Sequence, residues 1–218
     1  MMNISRRALL RAIAAGSLAG LLQRALAAGA NPATPGLRHL RGNVLINDKP
    51  ARVGQLVVPG DTVATGPGAE AIYVIGENAF LQRESSTVRF GADLAADFMR
   101  VVTGKLLSVF GRGDKRIVVS TAVIGIRGTA CYIEEEVGRT YFCLCYGGAD
   151  IVPTSAPQER ELIHTTHHDH PMYIHADPAM PKSMVPAEVV NHSDAELTLL
   201  EGLVGRVPPF LVTSGSQY

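Results

Sequence analysis

The chain has 218 residues, with 20 basic and 20 acidic side chains, and 46% of its residues are hydrophobic. This balance excludes the strongly basic class of nucleic-acid-binding proteins, which recognise phosphate through clustered Lys and Arg. A chain of this length buries a core without help from disulfide bonds. Beyond residue 27 no segment of about 20 residues is apolar enough to span a membrane.

The first 27 residues show, in order, the features of a twin-arginine signal peptide. Arg6 and Arg7 precede an apolar run, residues 12–22, that is too short to cross a bilayer. Residues 25–27 then form the small-x-small pattern of a signal-peptidase site, so we predict cleavage after Ala27. The alternative is an uncleaved amphipathic helix. We expect export by the twin-arginine translocase and a soluble periplasmic protein.

Cleavage changes the charge, because the segment holds four basic residues and no acidic one. The predicted mature chain has 191 residues, 16 of them basic and 20 acidic, which gives a net charge of −4. This length suits one domain with an appendage.

Short β-branched runs, separated by Gly, Pro, Asn and Asp, fill residues 40–152. Many short strands at close spacing predict an all-β fold of antiparallel strands, arranged as a sandwich or as stacked hairpins. The predicted strands are residues 42–46, 55–58, 71–75, 79–82, 87–90, 98–103, 105–110, 116–120, 129–135, 140–146 and 149–152.

The composition changes after residue 153, where prolines and histidines accumulate and exclude a regular helix or a central strand. One short C-terminal helix follows, because Ser193 or Asp194 is a good N-cap and Leu197, Leu200 and Val204 share one helical face. The predicted segments are a flexible leader (28–38), a β domain (39–153), a Pro/His-rich extension (154–192), an amphipathic helix (193–206) and a tail (207–218).

The β region resembles the periplasmic FecR domain. Residues 40–47 are similar to its opening strand, and residues 55–65 contain its x-G-D-x-V-x-T element. Residues 81–90 are similar to its middle strands, and residues 121–129 match its A-x-x-G-x-R-G-T run. The resemblance implies a FecR-type β domain that binds a partner in the cell envelope, such as an outer-membrane protein.

The chain departs from the FecR regulators in two ways. We expect only a cleavable leader before the domain, where those regulators have an anti-sigma segment and a membrane helix. A Cys-x-Cys strand, residues 143–145, resembles an exported subgroup that also carries a His-His-Asp-x-Pro segment, here 167–171, and a Leu-Glu-x-Leu-Val-Gly-Arg helix, here 200–206.

Cys143 and Cys145 form the main candidate site. Residues i and i+2 of a strand lie about 6.6 Å apart at Cα and point to one face, so both thiols could bind one soft ion. Thiolates together with imidazoles favour iron, copper or zinc over calcium or magnesium. His167 and His168 are the first candidates to complete the site, with Asp169 as a carboxylate that orients an imidazole. The less favoured candidates are Cys131, His164, His170 and His175.

The position of Cys131 depends on the turn near residue 138. A two-residue turn, Val137-Gly138, places Cys131 opposite Leu144 and away from the thiol pair. A three-residue loop places it opposite Cys143, where it could join the site. Cys131 could also be a core residue, or form a disulfide with Cys143.

Three functional hypotheses follow. The first is an exported FecR-like protein that binds a transition metal for sensing or handling of that metal. The second is an interaction module in the envelope, with structural or disulfide-bonded cysteines and no metal. The third is a metal-dependent oxidoreductase. The sequence lacks a nucleophile elbow, a phosphate loop and a zinc-protease motif, so we expect no enzymatic activity.

Overall fold

The computed structural model describes residues 32–92 and 98–213. The predicted signal peptide, with Arg6, Arg7 and Ala27, lies outside these residues. The described strands are β1 (Gly36–Arg41), β2 (Val44–Ile46), β3 (Lys49–Pro50), β4 (Thr62–Thr65), β5 (Glu70–Ile75), β6 (Asn78–Gln82), β7 (Ser86–Phe90), β8 (Met99–Val109), β9 (Asp114–Val118), β10 (Ala122–Glu136), β11 (Arg139–Pro153), β12 (Glu161–Thr165), β13 (Met172–His175) and β14 (Met184–Pro186). The described helices are a 3-10 turn (Pro157–Glu159), α1 (Asp194–Leu203) and α2 (Pro209–Thr213). The all-β prediction is confirmed.

A long antiparallel hairpin, β10 with β11, forms the backbone of the fold. Glu136 pairs with Arg139 across the two-residue turn Val137-Gly138, where Gly138 has a φ of +80°. The far half of β10 pairs with β9, and the half nearest the turn pairs with β8. On the other side, β11 pairs with β12 and β13. The hairpin therefore joins the early strands to the extension.

The remaining strands continue from β8, which pairs with β6 and β7. One branch runs β7, β4, β2, β3, and the other runs β6, β5, β1. All described strand pairings are antiparallel except that of β8 with β9. None of the helices in the described ranges is long and apolar enough to cross a bilayer.

The sheet is buried on both faces around the hairpin, because successive side chains of a strand point in opposite directions. One face contributes to a first core, which contains Cys131 and Ile133 and an aromatic cluster around Phe80. The other face, with Tyr132 and Cys143, contributes to a second core. Burial on both faces explains why these strands have continuous apolar sequence instead of alternation.

Helix α1 covers the second core. Leu197 and Leu200 of α1 are fully buried there. Ser193 is the N-cap, and Glu196 completes a capping box. Near the other end, buried Glu201 accepts a hydrogen bond from the Tyr146 hydroxyl of β11 and pairs with Arg206. These contacts fix α1, and with it Asp194, against strand β11.

Several predicted segments differ in the structure. Residues 55–58 form no strand and lie between turns at 53–54 and 59–60; the Asp61 carboxylate accepts a hydrogen bond from the Val58 amide across the second turn. Strand β1 begins inside the predicted leader, and β4 was not predicted. The predicted strands at 98–103 and 105–110 are one strand, β8.

The C-terminal third is more regular than its composition indicates. The extension 154–192 contains β12, β13 and β14, whose prolines lie at or beside strand ends, where a missing N–H is tolerated. The predicted tail contains α2, which begins at Pro209, since proline is well suited to the first turn of a helix.

Candidate metal centre

Strand β11 presents both thiols of its Cys-x-Cys sequence to the second core. Cys143 and Cys145 are fully buried, and all three cysteines of the chain are free. Because the hairpin has the two-residue turn, Cys131 pairs with Leu144 and packs in the first core, on the opposite face of the sheet. Cys131 is thus placed away from the thiol pair, and the structure contains no Cys131–Cys143 disulfide.

His168 lies against the thiol pair because the segment after β12 turns back onto β11. The His168 amide donates a hydrogen bond of 2.9 Å to the Cys145 carbonyl, and His168 has a φ of +55°. Asp169 holds the preceding turn by accepting hydrogen bonds from the Thr166 amide and hydroxyl. In this conformation the His168 Nδ1 lies 3.4 Å from the Cys143 Sγ.

His192 is the fourth donor, and it comes from the segment just before α1. Its ring stacks on Tyr132 with 4.6 Å between centroids. The preceding residue, Asn191, donates a hydrogen bond to Glu134 and accepts one from Arg83 at its carbonyl. The His192 Nε2 lies 3.1 Å from the His168 Nδ1. His192 was not among the residues predicted from the sequence. It lies 47 residues after Cys145, and no short metal-binding motif links the two positions.

The spacing of these four donors suits one metal ion. The Sγ atoms of Cys143 and Cys145 and one ring nitrogen each of His168 and His192 all lie within 4.8 Å of one another. Tetrahedral zinc, with bonds of about 2.3 Å to sulfur and about 2.0–2.1 Å to nitrogen, separates N from S by about 3.5 Å and N from N by about 3.3 Å. The observed separations of 3.4 Å and 3.1 Å are close to these values.

The second nitrogen of each imidazole is also hydrogen-bonded. The His192 Nδ1–H donates to the Val190 carbonyl at 2.6 Å, so its Nε2 faces the site. The His168 Nε2 lies 3.3 Å from an Asp194 carboxylate oxygen, which leaves its Nδ1 directed at Cys143. Such partners orient metal-ligating histidines. Asp194 takes the orienting role that the sequence suggested for Asp169, whose carboxylate holds the turn instead.

Electrostatics favour a thiolate at Cys143. A hydrogen bond from the Cys145 thiol, followed by contacts with His168 and His192, outweighs burial and lowers the pKa of Cys143 to about 4. Burial, with the neighbouring Cys143, raises the pKa of Cys145. Burial opposes the charged form of His168, but its contacts with Cys143 and Asp194 raise its pKa. These contacts therefore favour the thiolate, which is the form of Cys143 that binds a metal.

A second group of donors lies on the solvent side of His168. The His167 Nε2 lies 2.9 Å from the same Asp194 oxygen that contacts the His168 Nε2. His167, His168 and Asp194 form a set in which all donor atoms lie within 4.8 Å. His167 thus lies beside the thiol site and is not part of its four-donor set.

The other predicted histidines are separate from both groups. His164 is exposed on β12 and pairs with Gly148. His170 is exposed after the turn at Asp169. His175 pairs with Arg139 at the turn end of the hairpin.

Comparisons with known proteins give only a partial structural likeness. No family profile and no curated protein matches the sequence. Three chains among solved structures match, and two of them are crystal structures of a "putative anti-sigma factor" from Parabacteroides distasonis. Both are 8% identical to this chain, with TM-scores of 0.46 and 0.47, and the match covers 58% of this chain. The chain spans about 58% of the length of those structures. The FecR resemblance and the signal peptide stay predictions.

Proposed function

We propose that this protein is an exported, FecR-like β protein that binds one transition-metal ion and senses or handles that metal in the periplasm. One observation carries the proposal: two thiols and two imidazole nitrogens converge within 4.8 Å of one another. Three elements supply these donors, strand β11 and the segments that precede β13 and α1. Metal-binding sites are often formed in this way, by donor side chains from separate parts of the chain that the fold brings together.

The donor set indicates the class of ion. Two sulfur and two nitrogen donors fit zinc best, with copper and iron as the other members of the class. The donor set disfavours calcium and magnesium, which prefer oxygen ligands.

We further propose that the site is not catalytic. Four protein donors fill a tetrahedral shell, whereas a catalytic zinc site keeps a position open for water or substrate. Both cysteines are fully buried, which also restricts access of a substrate. Sensing, buffering and delivery need only reversible binding, which a closed shell permits.

Metal binding is tested by titrating the untagged apo-protein with zinc in competition with a chromophoric chelator. We expect one equivalent to bind tightly, and Cys143→Ser and His192→Ala each to abolish tight binding. Cys131→Ser is the matched control, because this cysteine faces the other core, and it should bind as the wild type does. Equal zinc affinity of the wild type and the Cys143→Ser variant would contradict the proposal.

A further inference from the structure

Both cysteine ligands of the proposed metal site are inaccessible to solvent, whereas its neighbouring donors are not. Cys143 and Cys145 have no exposed area. The side chain of His168 is 11% exposed, and those of His167 and Asp194 are 44% and 51% exposed. Solvent exposure therefore decreases from His167 and Asp194, through His168, to the thiols. His168 belongs both to this exposed group and to the four-donor site.

The second group of donors, His167, His168 and Asp194, is called the outer group below. Its geometry is suited to a hydrated ion. His167 and Asp194 offer a nitrogen and an oxygen 2.9 Å apart, which is the separation of two neighbouring ligands with bonds of about 2.0–2.1 Å at a right angle. Solvent on the open side can keep water on the ion while the first protein donors replace part of its shell. Asp169, whose carboxylate lies 3.4 Å from the His167 amide, adds negative charge nearby.

His167 also lines a surface cavity of about 450 Å³, together with Tyr146, His164 and Phe210, among others. The His167 ring stacks on Phe210 with 4.4 Å between centroids, so this donor is held at the edge of the cavity.

We propose that His167, Asp194 and the outer nitrogen of His168 form a surface docking position that takes the ion first and passes it to the buried Cys143–Cys145–His168–His192 site. This inference rests on the proposed function. It adds an uptake route: the ion exchanges water for the outer donors, then moves past His168 to the thiolates. No redox change is involved. The outer nitrogen of His168 gives up its proton while the ion is docked and carries a proton again once the ion has moved to the inner nitrogen, and the Cys145 thiol releases its proton to solvent.

The experiment follows cobalt(II) loading of the apo-protein by stopped-flow absorbance, because cobalt(II) gains a thiolate charge-transfer band only when the cysteines bind it. His167→Phe keeps a ring against Phe210 but removes the donor. His167→Asp keeps a donor but removes the ring. His170→Ala is the matched control, since His170 is exposed and outside both donor groups.

We expect the wild-type rate to saturate with cobalt concentration, because docking precedes transfer. His167→Phe should reach the same final spectrum at least about tenfold more slowly below saturation, because one of the three docking donors is lost and even the loss of an orienting partner weakens metal binding by about 10–100-fold. His167→Asp and His170→Ala should load at nearly the wild-type rate. If His167→Phe loads as fast as the wild type, the docking position is wrong while the thiol site stands. If the wild type never develops the thiolate band, the proposed function itself is overturned.

Discussion

Replacement of His192 by alanine removes one proposed metal ligand. No sequence motif predicts a ligand at this position. His192 reaches the site from the segment before α1 and lies 3.1 Å from His168. The substitution also removes the stack on Tyr132. The informative quantity is therefore the rise in melting temperature that zinc produces within each variant, because this difference cancels the stability change of the apo-protein.

The magnitude follows from binding linkage. At free zinc of 100 times the dissociation constant, binding stabilises the native state by about 2.7 kcal/mol. For a chain of this size each kcal/mol shifts the melting temperature by about 2–4 °C, so the wild type should gain about 5–11 °C. Loss of an orienting partner alone weakens metal binding by about 10–100-fold. Loss of a ligand should therefore weaken it by at least about 100-fold, which leaves about 0.4 kcal/mol at the same free zinc and a gain of about 1 °C.

Differential scanning fluorimetry in a zinc buffer measures these gains. His170→Ala is the control and should keep the full wild-type gain, because His170 lies outside the site. The reasoning is refuted if His192→Ala gains as much as the wild type, since the fourth ligand would then not contribute to binding.

Three further predictions concern the fold and are checked by urea unfolding. Leu200→Ala should cost about 2–5 kcal/mol, because Leu200 is fully buried where α1 covers the second core; a loss below 1 kcal/mol would mean that α1 is not docked as described. Cys131→Ser should cost about 1–3 kcal/mol, because it places a hydroxyl in the apolar first core, and an unchanged stability would argue against that burial. Gly104→Ala should destabilise more than Gly113→Ala: both have positive φ, but a Cβ at 104 would lie 2.5 Å from the Ser86 Cα, whereas one at 113 meets nothing within 4 Å. Equal losses for the two glycine variants would contradict the close approach of β7 and β8.

The sequence predicts the all-β fold better than it predicts the lengths of the individual strands. Apolar runs around residues 71–75 and 79–82 correspond to β5 and β6, because strand length and turn residues define them locally. The merging of four predicted strands into the long β8 and β11 was not predictable from turn signals. Gly104 and Gly147 lie inside these strands with positive φ, so two glycines that resemble turn signals in the sequence do not end a strand.

The candidate site was predictable only in part, and for a physical reason. Cys143 and Cys145 share a face by the period of a strand, so their pairing is a local property. The choice between two faces for Cys131 depended on one turn residue, and the two-residue turn at Val137-Gly138 decides it. His192 could not be found because its position depends on tertiary contacts, chiefly the Tyr132 ring and the Glu134 carboxylate.

The most direct test of the proposed metal site is X-ray absorption spectroscopy at the edge of the metal that the untagged protein contains or takes up. If zinc occupies the proposed site, its shell should contain two sulfurs at about 2.3 Å and two nitrogens at about 2.0–2.1 Å. The Cys143→Ser/Cys145→Ser variant should retain no tightly bound metal. A bound metal with only oxygen and nitrogen neighbours in the wild type, or a folded protein that binds no metal, would contradict the proposed Cys143–Cys145–His168–His192 site.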